Sequence, residues 1–255
     1  GEKTATVTFQ NNRKRGEIIL RKINRKPEWG EYSLQGAVYG LYAAETIRDA
    51  NGKTWYEAGQ EVDRTATDEA GIGKFTDIRL GRYYVKELAA PRGYILDTTP
   101  YDVALLAEDG QEEILRKWID VYEQPQTGQI FLSKYSADSA VTDENGSYSL
   151  AGAEFRVYRD AECTVQADVM ITDEEGKAVS ANLPLGTYYV KEIHASPGYQ
   201  VSEKPYVVRL QYGGQTANLV KAHLNIPQKP QYGQISIVKQ DSETGSEPQG
   251  DADLG

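Results

Sequence analysis

The sequence is poor in the residue types that most often carry metal, redox or thiol chemistry. Its 255 residues include one cysteine, one methionine and two histidines. A single cysteine, Cys163, excludes an intrachain disulfide, and it lies in a turn-like stretch with no base or cation near it in sequence. His194 and His223 are far apart, and no cluster has metal-site spacing. We therefore expect no metal, no cofactor and no reactive thiol.

Long hydrophobic runs and an excess of positive charge are also lacking. No stretch approaches the roughly 18 apolar residues that a membrane span needs. The net charge is −10, so no basic stripe is available to neutralise phosphates, and nucleic acid is not an expected partner. No phosphate-binding glycine loop, nucleophile elbow or EF-hand spacing occurs. These absences argue against a turnover enzyme, a nucleic-acid-binding protein and a membrane-spanning segment.

Signals for β-structure are abundant. The chain has 18 tyrosines and 24 glycines, and short runs of alternating polarity are separated by Gly, Asn, Asp and Pro. This pattern predicts an all-β fold made of β-sandwiches. Residues 43–63 and 159–170 lack clean alternation and are equally compatible with long loops or a short helix.

Most of the sequence occurs twice. The run GRYYVKELAAPRGY at 81–94 returns as GTYYVKEIHASPGY at 186–199. Other shared phrases are T-D-E-x-G at 67–71 and 172–176, L-x-G-A at 34–37 and 150–153, and a G-x-I-x-L-x-K opening at 16–22 and 128–134, with a related opening at 233–239. Repeats of this length are whole domains rather than solenoid units.

The phase of the repeats predicts the domain boundaries. Residues 16–127 and 128–232 form two complete domains. Residues 1–15 are expected to be the last strand of a preceding repeat, and residues 233–255 to contain the first strand of a third, truncated one. The chain is then a fragment of a longer protein, and its expected partners include neighbouring repeats of that protein.

Each repeat places a lysine and a glutamate in phase with apolar strand residues. Lys22 and Glu87 in the first repeat, and Lys134 and Glu192 in the second, should therefore point into a core. One interpretation is a buried ion pair, or a strand-end lysine that reaches water. The other is a covalent crosslink. Burial favours a neutral, nucleophilic amine and a protonated glutamate, which polarises an asparagine carboxamide while ammonia leaves.

The four repeated phrases together resemble the Cna-B-type domains of Gram-positive surface proteins, and more closely the SpaA-like, prealbumin-fold pilin repeats. The resemblance implies tandem transthyretin-like or reverse-immunoglobulin β-sandwiches. It also implies self-generated isopeptide bonds between a first-strand Lys and a last-strand Asn, assisted by the Glu. Such proteins are extracellular, so we expect cell-wall anchoring through parts of the parent chain outside this sequence.

In the second repeat the resemblance assigns the crosslink to Lys134 and Asn225, with Glu192 as the catalyst. Asn225 is followed by Ile-Pro in the predicted last strand. Strict strand alternation would turn Asn225 outward, so this assignment needs a bulge.

In the first repeat the resemblance offers Lys22 and Glu87, but Glu123 stands where the asparagine is expected. A salt bridge from Glu123 to Lys22 is one outcome. Asp120 is a second candidate acceptor, with loss of water, although its position also requires a bulge.

The predicted function is a structural stalk or pilin segment, stabilised by single-turnover self-crosslinking. The alternative is an adhesin module that binds a host protein or glycan. It rests on Trp29, which lies in an insertion at 26–30 that the second repeat lacks.

Overall fold

Two β-sandwiches follow one another along the chain, each built around its own apolar core. The computed structural model describes residue 7, residues 13–29, 32–109 and 112–240, and residue 245. The prediction of an all-β fold is confirmed, because only one short α-helix, α1 (Ser139–Thr142), and two 3-10 turns, Pro27–Trp29 and Ala107–Asp109, accompany the strands in this part of the chain.

The first sandwich contains nine strands. They are β1 (Arg15–Asn24), β2 (Val38–Ala43), β3 (Ile47–Arg48), β4 (Thr54–Tyr56), β5 (Glu61–Ala66), β6 (Ile72–Ile78), β7 (Gly81–Ala89), β8 (Tyr101–Leu105) and β9 (Ile114–Glu123). One sheet has the order β6-β1-β9 and the other β5-β2-β7-β8, while β3 and β4 form a small hairpin. The ambiguous segment 43–63 therefore contains this hairpin and no helix.

The second sandwich repeats this plan with eight strands. They are β10 (Thr127–Ser136), β11 (Glu154–Tyr158), β12 (Gln166–Ile171), β13 (Lys177–Val179), β14 (Leu183–Pro184), β15 (Gly186–His194), β16 (Tyr206–Leu210) and β17 (Leu219–Gln228). In one sheet β10 pairs with β13, β14 and β17, and the other has the order β12-β11-β15-β16. The second ambiguous segment, 159–170, is a loop followed by most of β12.

The first and last strands of each sandwich are parallel neighbours. All ten residues of β1 pair with β9, from Arg15 opposite Ile114 to Asn24 opposite Glu123. Strand β10 pairs with β17 in the same way, from Thr127 opposite Leu219 to Ser136 opposite Gln228. A parallel pair of adjacent strands requires a long crossover, which the remaining strands of each sandwich provide.

The repeated T-D-E-x-G phrase is a turn that supports the opening strand. In the second sandwich the Thr172 hydroxyl accepts a hydrogen bond from Ala153 N and donates one to Leu150 O. Gly176 has φ +74° and accepts a hydrogen bond from Lys134 N at 2.8 Å. The same contacts occur in the first sandwich around Thr67 and Gly71. The phrase therefore recurs because it holds the strand that carries the lysine.

The described residues outside the two sandwiches show neither a preceding nor a third repeat. The strand predicted within residues 1–15 falls mostly outside the described residues. Residues 233–239 have no assigned strand, and their apolar side chains are exposed. The flanking repeats therefore stay a prediction.

Gly176→Ala should destabilise the second sandwich by at least about 1–2 kcal/mol, the cost of a left-handed conformation in a non-glycine residue. A Cβ at this position would also clash with the carbonyl oxygen of Lys134. The matched control is Gly146→Ala, because a Cβ there meets nothing within 4 Å. Chemical denaturation measures both variants, and equal stability of the two would contradict the proposed role of Gly176.

Candidate functional site

Both opening strands direct a lysine into the space between the two sheets. On β1, Leu20 and Lys22 share the inner face, as do Leu132 and Lys134 on β10. Both lysine side chains are fully buried. Because an unpaired buried ammonium is very costly, the neighbours of each lysine decide its charge and its chemistry.

In the first sandwich Lys22 lies between two glutamates. Its Nζ is 2.6 Å from Oε1 of Glu87 on β7 and also forms an ion pair with Glu123 at the end of β9. Nζ donates a further hydrogen bond to the Tyr39 hydroxyl on β2 at 3.0 Å. The second oxygen of Glu87 accepts a hydrogen bond from Asp97 N at 2.8 Å. Four strands thus meet at one amine.

This first cluster carries one carboxylate more than its ammonium neutralises. The pKa of Glu123 is raised to about 7, chiefly by burial and also by the charge of Glu87, while Lys22 opposes both effects. The Oε2 atom of Glu123 has no hydrogen-bond partner. A buried carboxylate with one unpaired oxygen favours its neutral form, so Glu123 holds its proton to a higher pH than an ordinary glutamate does.

In the second sandwich Lys134 faces one glutamate carboxylate and one serine hydroxyl. Its Nζ lies 2.7 Å from Ser196 Oγ and 3.4 Å from Glu192 Oε1. Glu192 Oε2 accepts hydrogen bonds from Ser202 N at 2.7 Å and from the Gln228 carboxamide at 3.0 Å. Glu192 therefore contacts both the amine and the carboxamide.

Burial lowers the pKa of Lys134, and the charge of Glu192 opposes this effect only in part. The lowered pKa increases the fraction of neutral amine at a given pH. Because a neutral amine is the nucleophilic form, the second cluster combines a nucleophile, a carboxylate and an amide electrophile in one dry volume.

The two clusters are built from equivalent positions with different residues. Lys22 corresponds to Lys134 and Glu87 to Glu192, but Glu123 at the end of β9 corresponds to Gln228 at the end of β17. The hydroxyl group that accepts from the lysine also has a different origin. It comes from Tyr39 on β2 in the first sandwich and from Ser196, after β15, in the second.

The structure contradicts the predicted placement of Asn225 beside Lys134. Asn225 lies opposite Ser133 on the exposed face of β17, and no bulge re-aims it. Strand alternation instead turns Ile226 and Gln228 inward, and both are buried. Two prolines follow in this part of the chain, and it is Pro230, not Pro227, that bridges to the core tyrosine Tyr199.

Asp120 occupies the same outward position in the first sandwich, which likewise contradicts its predicted placement beside Lys22. It forms a surface ion pair with Arg21 at 2.7 Å, away from Lys22. Sequence reasoning missed Gln228, which the structure places beside Glu192. The signal was present in the linker, because Glu123-Gln124-Pro125-Gln126 has the same spacing as Gln228-Lys229-Pro230-Gln231.

Other candidates remain without a site. Cys163 is half-buried in a turn at φ 56°. Within the described ranges no group of three or more His, Cys, Asp or Glu is arranged to hold a metal ion. No helix in the same ranges is long and apolar enough to cross a membrane.

Comparison with known proteins agrees with this architecture. A family model for the SpaA prealbumin-like fold domain matches residues 16–117 and 139–223. The trypsin-resistant surface T6 protein of Streptococcus pyogenes serotype M6 is 30 % identical over 87 residues, which are 34 % of this chain and 13 % of that protein. A solved structure of the Bacillus anthracis TIE protein aligns with 85 % of this chain and 34 % of its own, with TM-score 0.59 and 22 % identity. The chain therefore spans much less than two thirds of either protein, and the structural likeness establishes the fold.

The raised pKa of Glu123 predicts a stability contribution that depends on pH. The folded state holds the proton more tightly than the unfolded chain, so this contribution is present at acid pH and is lost as the pH rises from about 4.5 to about 7. A ¹³C NMR titration of the glutamate carboxyl groups should show one midpoint near 7, and this signal should vanish in Glu123→Gln. A midpoint in the ordinary glutamate range would contradict the burial argument.

Proposed function

Because the chain belongs to the SpaA family of prealbumin-like fold domains, we propose that it is a force-carrying segment of a cell-surface stalk or pilus. One observation carries the proposal. Each sandwich joins its first and last strands at a buried lysine cluster, at the end where the chain leaves the domain.

The strand geometry supports this mechanical role. The chain enters the first sandwich at Arg15 and leaves it after Glu123, at the opposite end of the same parallel strand pair. Tension along the chain therefore loads all the hydrogen bonds between β1 and β9 in shear. A strong link between Lys22 and Glu123, which we call a tie, transfers that load from the first strand directly to the last. The part of the chain that lies between these two residues in sequence then carries little of the load.

In the second sandwich the tie is an amide bond between Lys134 and Gln228. The neutral Lys134 amine attacks Cδ of Gln228, and Glu192 receives a proton from the attacking nitrogen. Glu192 then delivers that proton to the departing nitrogen as the C–N bond of the carboxamide breaks. One C–N bond forms, one C–N bond breaks and one ammonia leaves, and Glu192 ends as it began.

In the first sandwich the tie is ionic. Glu123 occupies the position of Gln228, so the lysine meets a carboxyl group there instead of a carboxamide. Lys22 forms ion pairs with both Glu87 and Glu123. Amide formation there would require loss of water from Glu123 rather than loss of ammonia. Separating the two strands would leave an uncompensated buried charge, and loss of one partner of a buried ion pair costs about 3–5 kcal/mol. The ionic cluster therefore also holds β1 to β9.

A covalent tie also changes the stability of the second sandwich. It closes a loop between residues 134 and 228. Closing a loop of about 100 residues stabilises a protein by roughly 4–5 kcal/mol on the chain-entropy treatment used for disulfides. The stabilisation arises because the crosslink lowers the conformational entropy of the unfolded chain. It is separate from the effect of the crosslink on mechanical resistance.

The adhesin alternative has less support. Trp29 is half-buried and its ring contacts the Lys26 ammonium at 5.4 Å. Trp55 lies against Arg79 and Lys53, at 3.3 and 4.1 Å from its ring centre. No contact among the described residues favours a host protein or glycan, so that partner stays a prediction.

The intact mass of the denatured chain tests the chemistry. We expect a mass below the sequence value by one ammonia, and a tryptic peptide pair linked through Lys134 and Gln228. Glu192→Gln should restore the full mass, whereas Asn225→Ala, on the outer face of β17, should leave the deficit unchanged. A full wild-type mass would exclude the amide bond, and a further deficit of one water would show that Lys22 and Glu123 also react.

Single-molecule pulling on the two chain ends tests the mechanical role. The wild-type chain should show one unfolding event, from the first sandwich. Glu192→Gln should show a second event that releases about 300 Å of chain, because roughly 95 residues extend by about 3.3 Å each. Two events in the wild type would show that the second sandwich is not tied.

A further inference from the structure

The linker between the two sandwiches is buried and hydrogen-bonded, and it forms part of a structured interdomain junction. Gln126 is 0 % exposed, although it lies between two domains. Its side-chain nitrogen donates to Gly214 O at 2.9 Å and also to Ala217 O. Its side-chain oxygen accepts a hydrogen bond from Gly213 N at 2.8 Å. The 213–217 loop of the second sandwich thus binds every polar group of this carboxamide.

The same loop reaches back to the first sandwich. Gln215 O accepts a hydrogen bond from Leu96 N at 2.9 Å, and Gln215 Oε1 accepts one from Ala90 N at 3.2 Å. A second contact lies beside it, where Leu185 N donates to the Tyr32 hydroxyl at 2.8 Å. Backbone N–H groups of each sandwich thus donate hydrogen bonds to the other sandwich. Such contacts define the orientation of one sandwich relative to the other, which a flexible linker would not.

A pair of tyrosines forms the first sandwich's side of this junction. Tyr32 and Tyr94 meet edge to face with ring centres 5.5 Å apart. Tyr94 bridges to Pro125, and Gly93 O accepts a hydrogen bond from Gln126 N at 2.8 Å. The tyrosine pair therefore holds the linker that positions Gln126.

The far end of the second sandwich carries the same parts in the same places. Tyr148 and Tyr199 meet edge to face at 5.7 Å, and Tyr199 bridges to Pro230. Gly198 O accepts a hydrogen bond from Gln231 N at 2.7 Å. These contacts reproduce those of Tyr32, Tyr94, Pro125, Gly93 and Gln126.

Only the contacts to a following domain are replaced. The Gln231 side chain, which corresponds to Gln126, donates to Tyr199 O of its own sandwich at 3.0 Å. The Tyr148 hydroxyl donates to Gln231 O at 2.6 Å, whereas the corresponding Tyr32 hydroxyl accepts from the next sandwich. The groups that bind a neighbour at the first junction bind their own domain here.

The chain beyond Gln231 indicates what the neighbour is. Residues 233–235 repeat the Gly-Gln-Ile sequence that opens β10 at 128–130. Ile130 is fully buried in the second sandwich, whereas Ile235 and Ile237 are each 88 % exposed. A strand sequence with exposed apolar side chains is typical of a segment that packs against another surface. The remaining strands of a third sandwich would bury these side chains.

From these contacts we infer that the end of the second sandwich around Tyr148, Tyr199 and Gln231 is a docking surface for a following prealbumin-like domain of the same chain. The linker glutamine inserts into a loop of that domain equivalent to 213–217, as Gln126 does. Successive domains are then held in one repeated orientation. This inference does not depend on whether the lysine clusters form amide bonds.

Residual dipolar couplings of the full chain test the existing junction. The two sandwiches of the wild type should fit a single alignment tensor, and Gln126→Ala should require two. The matched control is Gln124→Ala, because Gln124 lies in the same linker but is exposed, and its side chain donates a hydrogen bond to Pro125 O at 3.5 Å within that linker. Two tensors in the wild type, or one in Gln126→Ala, would overturn the role of Gln126. Unchanged amide shifts in both cores would show that the variant is folded.

A chain extended beyond Gln231 by a second copy of residues 127–232 tests the docking surface. The added domain should share the tensor of the first two, and Gln231→Ala should release it without affecting the first junction. Independent alignment of the added domain with Gln231 intact would overturn the proposal. Intact mass, measured on the same samples, reports on the amide bond separately, so the two proposals fail independently.

Discussion

The parallel pairing of the first and last strands is the constraint on which the rest of this structure depends. Because the strands are parallel neighbours, the chain enters and leaves each sandwich at opposite ends, and tension loads their shared hydrogen bonds in shear. The same pairing brings the lysine near the end of one strand to the side chain that closes the other. Lys22 thereby meets Glu123, and Lys134 comes to the cluster that contains Gln228. Both mechanical resistance and the proposed chemistry follow from this one arrangement.

The two sandwiches solve the problem of a buried ammonium differently. In the first, a second carboxyl group shares the lysine, and burial raises the pKa of Glu123 to about 7. In the second, the partner is a neutral carboxamide, and burial lowers the pKa of Lys134. The replacement of Glu123 by Gln228 at the equivalent position therefore removes one carboxyl group from the second cluster and supplies a carboxamide instead. Each cluster keeps one hydroxyl as an acceptor, from Tyr39 or from Ser196, because an ammonium or amine has several hydrogen atoms to donate.

The junction between the two sandwiches connects the last strand of the first sandwich to the second sandwich. The strand that carries Glu123 is followed at once by the linker, whose glutamine is bound by the next sandwich. Under the proposed mechanical role, force that crosses from β1 to β9 would pass directly into this interdomain contact. Polar groups that would be costly to bury alone are all paired there, which explains how a linker glutamine becomes fully buried.

The sequence by itself determined the two-fold repeat, the all-β class and the burial of Lys22, Lys134, Glu87 and Glu192, because period-2 alternation reports which face of a strand a residue occupies. It could not determine the acceptor. Two prolines, Pro227 and Pro230, offered two registers for the last strand, and a slip of three residues exchanges an outward asparagine for an inward glutamine. Register is set by pairing with a strand far away in sequence, so only the tertiary structure placed Gln228 beside Glu192 and turned Asn225 and Asp120 to the outer face. The junction was likewise hidden, because Gln126 and the 213–217 loop have no sequence signal until folding brings them together.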